Sequence, residues 1–144
     1  MERSVALAPN DAWSYAALAE VQSYLGRSEE ALRAAEQALR LKPLVVDYHL
    51  SGIGTAYALA GRPEEAIVPL KQYLTHYPDI LNAHLTLAAV YSELGKEAEV
   101  RAEAAEVSRL NPKFSLEVHK QRVPIKDPAV LERHIAALRK AGLK

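Results

Sequence analysis

The chain has 144 residues, 49% of them hydrophobic and 25% charged, with 8 prolines and 6 glycines, a composition that fits one folded domain and is too apolar for disorder. Eighteen basic residues cancel eighteen acidic ones, so no overall field favours nucleic acid, and no run of eighteen apolar residues suggests a membrane span. Cysteine is absent, which excludes disulfides and thiolate chemistry; without a signal-peptide h-region at its start the chain is expected in the cytoplasm.

Residues 1–9, ending in Leu7-Ala8-Pro9, read like the last turns before Pro43 or Pro112. They are expected to be the remnant of an earlier repeat's second helix, in a natural protein that extends further towards its N-terminus. Asn10-Asp11 supplies an N-cap. Trp13, Ala16, Ala17, Leu18, Val21, Tyr24 and Leu25 then recur at three- and four-residue spacing, which predicts an amphipathic helix to about Tyr24, ended by Gly26. Ser28 to Leu41 is the return helix, stopped by Pro43, with Arg33, Glu36, Gln37 and Arg40 facing out.

A second pair is expected over Val45–Ala60 and Pro63–His76. Pro63 suits a first helical position. Pro69 falls about two turns in, where it removes a backbone bond and should bend the axis, and Tyr73 stands where the flanking pairs carry Ala38 and Val107, so local spacing should widen. Gly52 and Gly54 each weaken the first helix by about 1 kcal/mol relative to alanine, which points to a close approach by a neighbouring backbone. The third pair covers Ile80–Leu94 and Glu97–Leu110, its second helix being rich in Glu and Ala and the looser element. Ser115–Gln121 can form a short helix and Val123–Lys126 an extended link. Asp127-Pro128 then starts a last helix to about Lys140, with Val130, Leu131, Ile135, Leu138 and Leu143 on one face.

These pairs are copies. Gly26, Gly61 and Gly95 fall 35 and 34 residues apart, and Pro9, Pro43, Pro78 and Pro112 fall 34, 35 and 34 apart. Leu18, Ile53 and Leu87 precede the glycines by eight residues; Ala31, Ala66 and Val100 follow them by five. A fixed period of that size means stacked supersecondary units, an all-α solenoid, here followed by a terminal helix able to cover its last apolar edge. The formal neutrality hides an asymmetry. Residues 1–112 carry 10 basic and 15 acidic side chains, net −5, and residues 113–144 carry 8 and 3, net +5, so the tail is either a solvated basic face or an element that docks on an acidic one.

Several positions repeat in phase: Tyr15, Leu18-Ala19, Gly26, Ala31, Ala38 and Pro43; Leu50, Ile53-Gly54, Tyr57, Gly61, Ala66 and Pro78; His84, Leu87-Ala88, Tyr91, Gly95 and Pro112. On these residues the chain resembles the tetratricopeptide repeat family, with Gln22, Tyr73 and Val100 as departures. The resemblance implies a right-handed α-solenoid of three repeats (10–43, 44–78 and 79–112) and a capping segment (113–144). The tail, with Pro124-Ile125-Lys126-Asp127-Pro128 and Leu138-Arg139-Lys140-Ala141-Gly142-Leu143, also resembles the C-terminus of bacterial multidomain proteins in which a class III adenylate or guanylate cyclase domain precedes such repeats.

In that repeat geometry the first helix of each pair lines a concave face. Projected onto this chain, the positions for a bound peptide or partner are Trp13, Ala16, Glu20 and Tyr24; Tyr48, Ser51, Thr55 and Leu59; and Asn82, Leu85, Ala89 and Glu93. The full set of projected positions holds one Asn and no base, too little for a carboxylate clamp. Its aromatic and aliphatic members suit an apolar or aromatic segment, with Glu20 and Glu93 available to a base, although Trp13 and Tyr48 could equally pack against adjacent helices. The expected partner is a protein or peptide, with a homodimer as the alternative and neither nucleic acid nor membrane. No cofactor and no metal is expected: His49 and His84 lack a carboxylate or histidine at i+4 and read as structural or surface residues. Glu29-Glu30 and Glu64-Glu65 fall at helix starts, where they offset the macrodipole. No nucleophile elbow or phosphate loop occurs, so this chain is expected to be an adaptor and not an enzyme.

Overall fold

A computed structural model describes residues 12–41 and 50–144. Within them the chain forms eight helices: α1 (Ala12–Tyr24), α2 (Ser28–Leu41), α3 (Leu50–Leu59), α4 (Pro63–His76), α5 (Leu81–Leu94), α6 (Glu97–Leu110), α7 (Leu116–Arg122) and α8 (Pro128–Lys140). The first six make three antiparallel hairpins, α1/α2, α3/α4 and α5/α6. Each hairpin packs on the next through its first helix, α3 against both α1 and α2, and α5 against both α3 and α4. This is the all-helical solenoid that the period implies. The segment before α1, the start of the second hairpin and Tyr48 lie outside the described residues.

One local device closes all three hairpins. Gly26, Gly61 and Gly95 adopt φ of 80°, 79° and 72°, the left-handed region that a Cβ disfavours. The amides around them satisfy the orphan carbonyls in one pattern: Gly26 N–H to Ser23 O and Arg27 N–H to Gln22 O, Gly61 N–H to Ala58 O and Arg62 N–H to Tyr57 O, Gly95 N–H to Ser92 O and Lys96 N–H to Tyr91 O. This 6→1 and 5→2 arrangement is the Schellman motif. It recurs at the end of α8, where Gly142 donates to Arg139 O and Leu143 to Leu138 O. The same motif at the same phase of each repeat turns every chain reversal the same way, which is what lets the hairpins stack.

Small residues set the spacing. Ala31, Ala34, Ala35 and Ala38 bury the inner face of α2, and every residue of α3 is buried except Ser51, which is half-buried. The expected close approach of a neighbouring backbone is present at Gly52, whereas at Gly54 the neighbour is a side chain. A Cβ on Gly52 would lie 3.2 Å from Ala16 O and 3.2 Å from Glu20 Cβ of α1, and one on Gly54 would lie 2.5 Å from Leu70 Cγ of α4. Tyr73, the departure from alanine, is buried and stacks at 5.0 Å on Tyr77. Pro69 is buried within α4. In α6 only Val107 is buried, as its Glu- and Ala-rich sequence suggested.

Two apolar cores result. One runs through the hairpins from Ala16 by way of Ile53, Tyr57, Leu70 and Leu87 to Tyr91. The other joins the inner side of the third hairpin, Leu85, Ala88, Ala89 and Val107, to Leu116, Ile135, Leu138 and Leu143 of the tail. So α8 covers α5, a first-position helix, from the concave side. The tail does more than cap an end; it turns back into the trough.

Candidate functional site

The trough is built from helix phase. Glu20 and Tyr24 of α1, Ser51, Thr55 and Leu59 of α3, and Asn82 and Leu85 of α5 recur at about one helical turn, so each helix turns the same stripe inward. These seven line one cavity of about 530 Å³, whose wall also includes Thr86, Lys113, Phe114, Val118, His119, Arg122 to Ile125 and His134. The floor is therefore the repeats and the roof is the tail. Both carbonyl- and hydroxyl-bearing residues and apolar ones face the space, a mixture that holds a peptide better than a purely aliphatic ligand.

The remaining projected residues are placed differently. Trp13 is 54% exposed and is not among the cavity-lining side chains. Ala16 is buried, its carbonyl against Gly52. Ala89 is buried in the second core under α8, beside the cavity-lining Leu85. Glu93 stands 3.8 Å from the Arg133 guanidinium; burial raises its pKa above the ordinary glutamate value and Arg133 opposes that rise.

The tail crosses the trough through a short series of anchors, one on each repeat. The Lys126 amide donates to Tyr24 O at 2.7 Å, at the end of α1. Asp127 sits so close to Gly26 that a Cβ there would lie 2.9 Å from Asp127 Cβ. In the second repeat Arg133 Nη2 donates to Leu59 O at 2.7 Å and to Ala58 O at 3.1 Å, placing a cation on the last carbonyls and the negative dipole end of α3. Arg133 then reaches Glu93 in the third repeat, where Ile135 and Leu138 pack on α5. Dimensions agree with this path. A 13-residue helix is about 20 Å long, the width of two interhelix spacings of 8–10 Å; α8 packs on α5 and meets the ends of the first two hairpins through Asp127 and the Arg133 side chain.

Local chemistry fixes where α8 begins. Asp127 accepts from Ala129 N at 2.9 Å and Val130 N at 3.2 Å, and Pro128 takes the first helical position. Between α7 and α8 the backbone is extended, with φ −64° and ψ 134° at Val123 and φ −76° and ψ 120° at Asp127. Ile125 is buried within this strap while Pro124 and Lys126 are exposed. The strap covers Tyr24, whose hydroxyl pKa is pushed up to about 12 by burial and by the Glu20 carboxylate.

Two histidines of the tail face each other across the roof. His119 Nε2 and His134 Nε2 lie 3.1 Å apart and tie α7 to α8. Burial lowers both pKa values; His134 falls to about 4, with His119 and Arg133 adding to the effect. They are the residues that sequence reasoning missed, because neither belongs to the repeat pattern. His84 is structural: its Nδ1 lies 2.6 Å from Glu103 Oε1 and its Nε2 2.7 Å from Pro78 O, which joins α5 to α6 and to the preceding turn. Among the described residues no group of three His, Cys, Asp or Glu side chains could hold a metal ion, and no helix is long and apolar enough to cross a membrane.

A tetratricopeptide repeat family model matches residues 1–33. No curated protein matches the chain. Among solved structures it is similar to a crystal structure of MamA, with a TM-score of 0.66 and 14% identity over 97% of this chain and 81% of that one. The matched segment and the shared fold make the chain similar to tetratricopeptide-repeat proteins, as an α-solenoid with a repeat of that family at its N-terminal end.

Proposed function

We propose that the chain is a protein-interaction module that takes an apolar or aromatic segment of a partner protein into the trough of α1, α3 and α5. The observation that supports this most is the cavity of about 530 Å³ lined in phase by Glu20, Tyr24, Thr55, Leu59 and Asn82. Three repeated helices present hydroxyl, amide and carboxylate groups around apolar walls, the combination that orients a peptide without chemistry being done on it. Glu20 lines the space together with Lys113 and Arg122, so charges of both signs face the bound segment. The tail's likeness to the C-termini of nucleotide-cyclase proteins supports a role as the regulatory or localising part of a larger bacterial protein, in the cytoplasm.

Panning a random peptide library on the full chain tests the module. Selected peptides should be apolar or aromatic, and should shift backbone NMR signals of Glu20, Ser51, Thr55 and Asn82. Thr55→Arg, which fills the cavity with a cation, should abolish binding. Selection of convex-face binders only, or of none, overturns the reading.

Self-association is the second reading, favoured by the exposed apolar positions Trp13, Val21 and Leu25, which lie within about 120° of one another around α1 and its C-terminal extension. A dimer through that edge persists as salt rises, whereas one made by the acidic repeats and the basic tail dissociates. Light scattering across ionic strength distinguishes the two, and a monomer at every concentration excludes both.

A further inference from the structure

The geometry points to the strap Val123–Asp127 being a pseudo-ligand: it occupies the α1 end of the trough as an external partner would, and the partner is a short extended segment carrying one aliphatic side chain. This rests on the interaction-module reading and names the chemistry of the same site. The strap has the form of a bound peptide, not of a core element. Its backbone is close to polyproline II, one side chain, Ile125, is buried, and its neighbours Pro124 and Lys126 point to solvent. A single main-chain bond, Lys126 N–H to Tyr24 O at 2.7 Å, fixes its register.

The strap is also held lightly enough to leave. On its N-terminal side α7 has seven residues, of which only Leu116 is buried. Two further contacts hold it to α8, His119 with His134 at 3.1 Å and Lys120 Nζ with Glu132 Oε1 at 3.0 Å. On the other side α8 is anchored by Ile135, Leu138 and Leu143 in the second core. The unit that opens is therefore α7 with the strap, while α8 stays on α5. Segments with few buried contacts are those that open locally below the global unfolding free energy.

The test uses the full chain and a fluorescein-labelled synthetic peptide, Gln-Arg-Val-Pro-Ile-Lys-Asp-Pro, copied from the strap. Lys126→Pro removes the donor to Tyr24 O while leaving Ile125 and the repeats untouched; Ile125→Asp removes the buried side chain. Both variants should bind the peptide with anisotropy-measured affinities about tenfold or more above the wild type, since the competent open fraction rises, and a peptide with Asp in place of Ile should not bind. Hydrogen exchange should show lost protection over 115–126 with α1 to α6 still protected. If the helices of Ile125→Asp melt together, Lys126→Pro carries the experiment alone. Equal binding by wild type and Lys126→Pro, or none by an opened chain, overturns the proposal. A library peptide that occupies the trough equally well in both chains also overturns it, and leaves the interaction module standing.

Discussion

Replacing Gly54 by alanine sets two effects of opposite sign against each other, and distances decide between them. In an isolated helix the change stabilises by about 1 kcal/mol. Here the added Cβ would lie 2.5, 2.8 and 3.3 Å from Cγ, Cδ2 and Cδ1 of Leu70, against about 3.5–4.0 Å for carbon atoms at rest. Leu70 is fully buried and cannot swing into solvent, so either it leaves its rotamer or α3 and α4 separate by about 1 Å. Overpacking of this kind costs about 1–3 kcal/mol. The net expectation is a loss of up to about 2 kcal/mol in urea unfolding followed by far-ultraviolet circular dichroism. A double-mutant cycle sharpens it: with Leu70→Ala in the background the penalty of the added methyl should vanish, giving a coupling of about 1–3 kcal/mol between the sites. If Gly54→Ala alone is more stable than the wild type by the full gain of an isolated helix, or the coupling is zero, α3 and α4 are not this close and the spacing of the trough derived from them is wrong.

Acid should loosen the tail. His134 and His119 titrate below the ordinary histidine value in the folded chain, so their neutral forms favour folding above about pH 6.5, and that contribution declines as pH falls towards 4. For His134 it is on the order of 3 kcal/mol, and His134→Gln should flatten this part of the stability profile relative to wild type. Tyr24, held near 12, should titrate closer to 10 in Lys126→Pro, read as the difference in phenolate absorbance from the same chain carrying Tyr24→Phe. Asp127→Ala removes acceptors for two amides and should cost about 1 kcal/mol, with exchange rising first at Ala129 and Val130. Trp13→Ala should leave the melting temperature nearly unchanged, given the exposure of that ring, and weaken any binder that docks on the α1 edge.

What could be read in advance was whatever repeats. Gly26, Gly61 and Gly95 were legible because a left-handed turn excludes nearly every other residue, and the common face of Glu20, Tyr24, Thr55, Leu59 and Asn82 because the resemblance to the repeat family supplied the geometry on which helix phase could be projected. The tail was legible as elements only: the short helix, the extended link, the Asp127 cap and the apolar stripe of Ile135, Leu138 and Leu143 lie where their local chemistry places them. Its destination was not. The same stripe serves a helix that seals the end of a stack and one that lies across its trough, and the choice is made by contacts separated far along the chain, Lys126 with Tyr24 and Arg133 with Leu59. Arg133 belongs to the face that periodicity assigns to water and is drawn inward by the carbonyls at the end of α3, which come within its reach only once the hairpins have stacked; His134 lies at helical spacing from Val130, Leu131 and Leu138, on the apolar stripe itself, where His119 is its partner. A five-residue extended link spans at most about 18 Å, so it can bring the start of α8 back beside Gly26 only because three hairpins are stacked within that reach. The length of the link and the number of repeats are therefore matched quantities: a fourth repeat inserted between the first and second would carry Tyr24 and Gly26 out of range, and the strap would have to open.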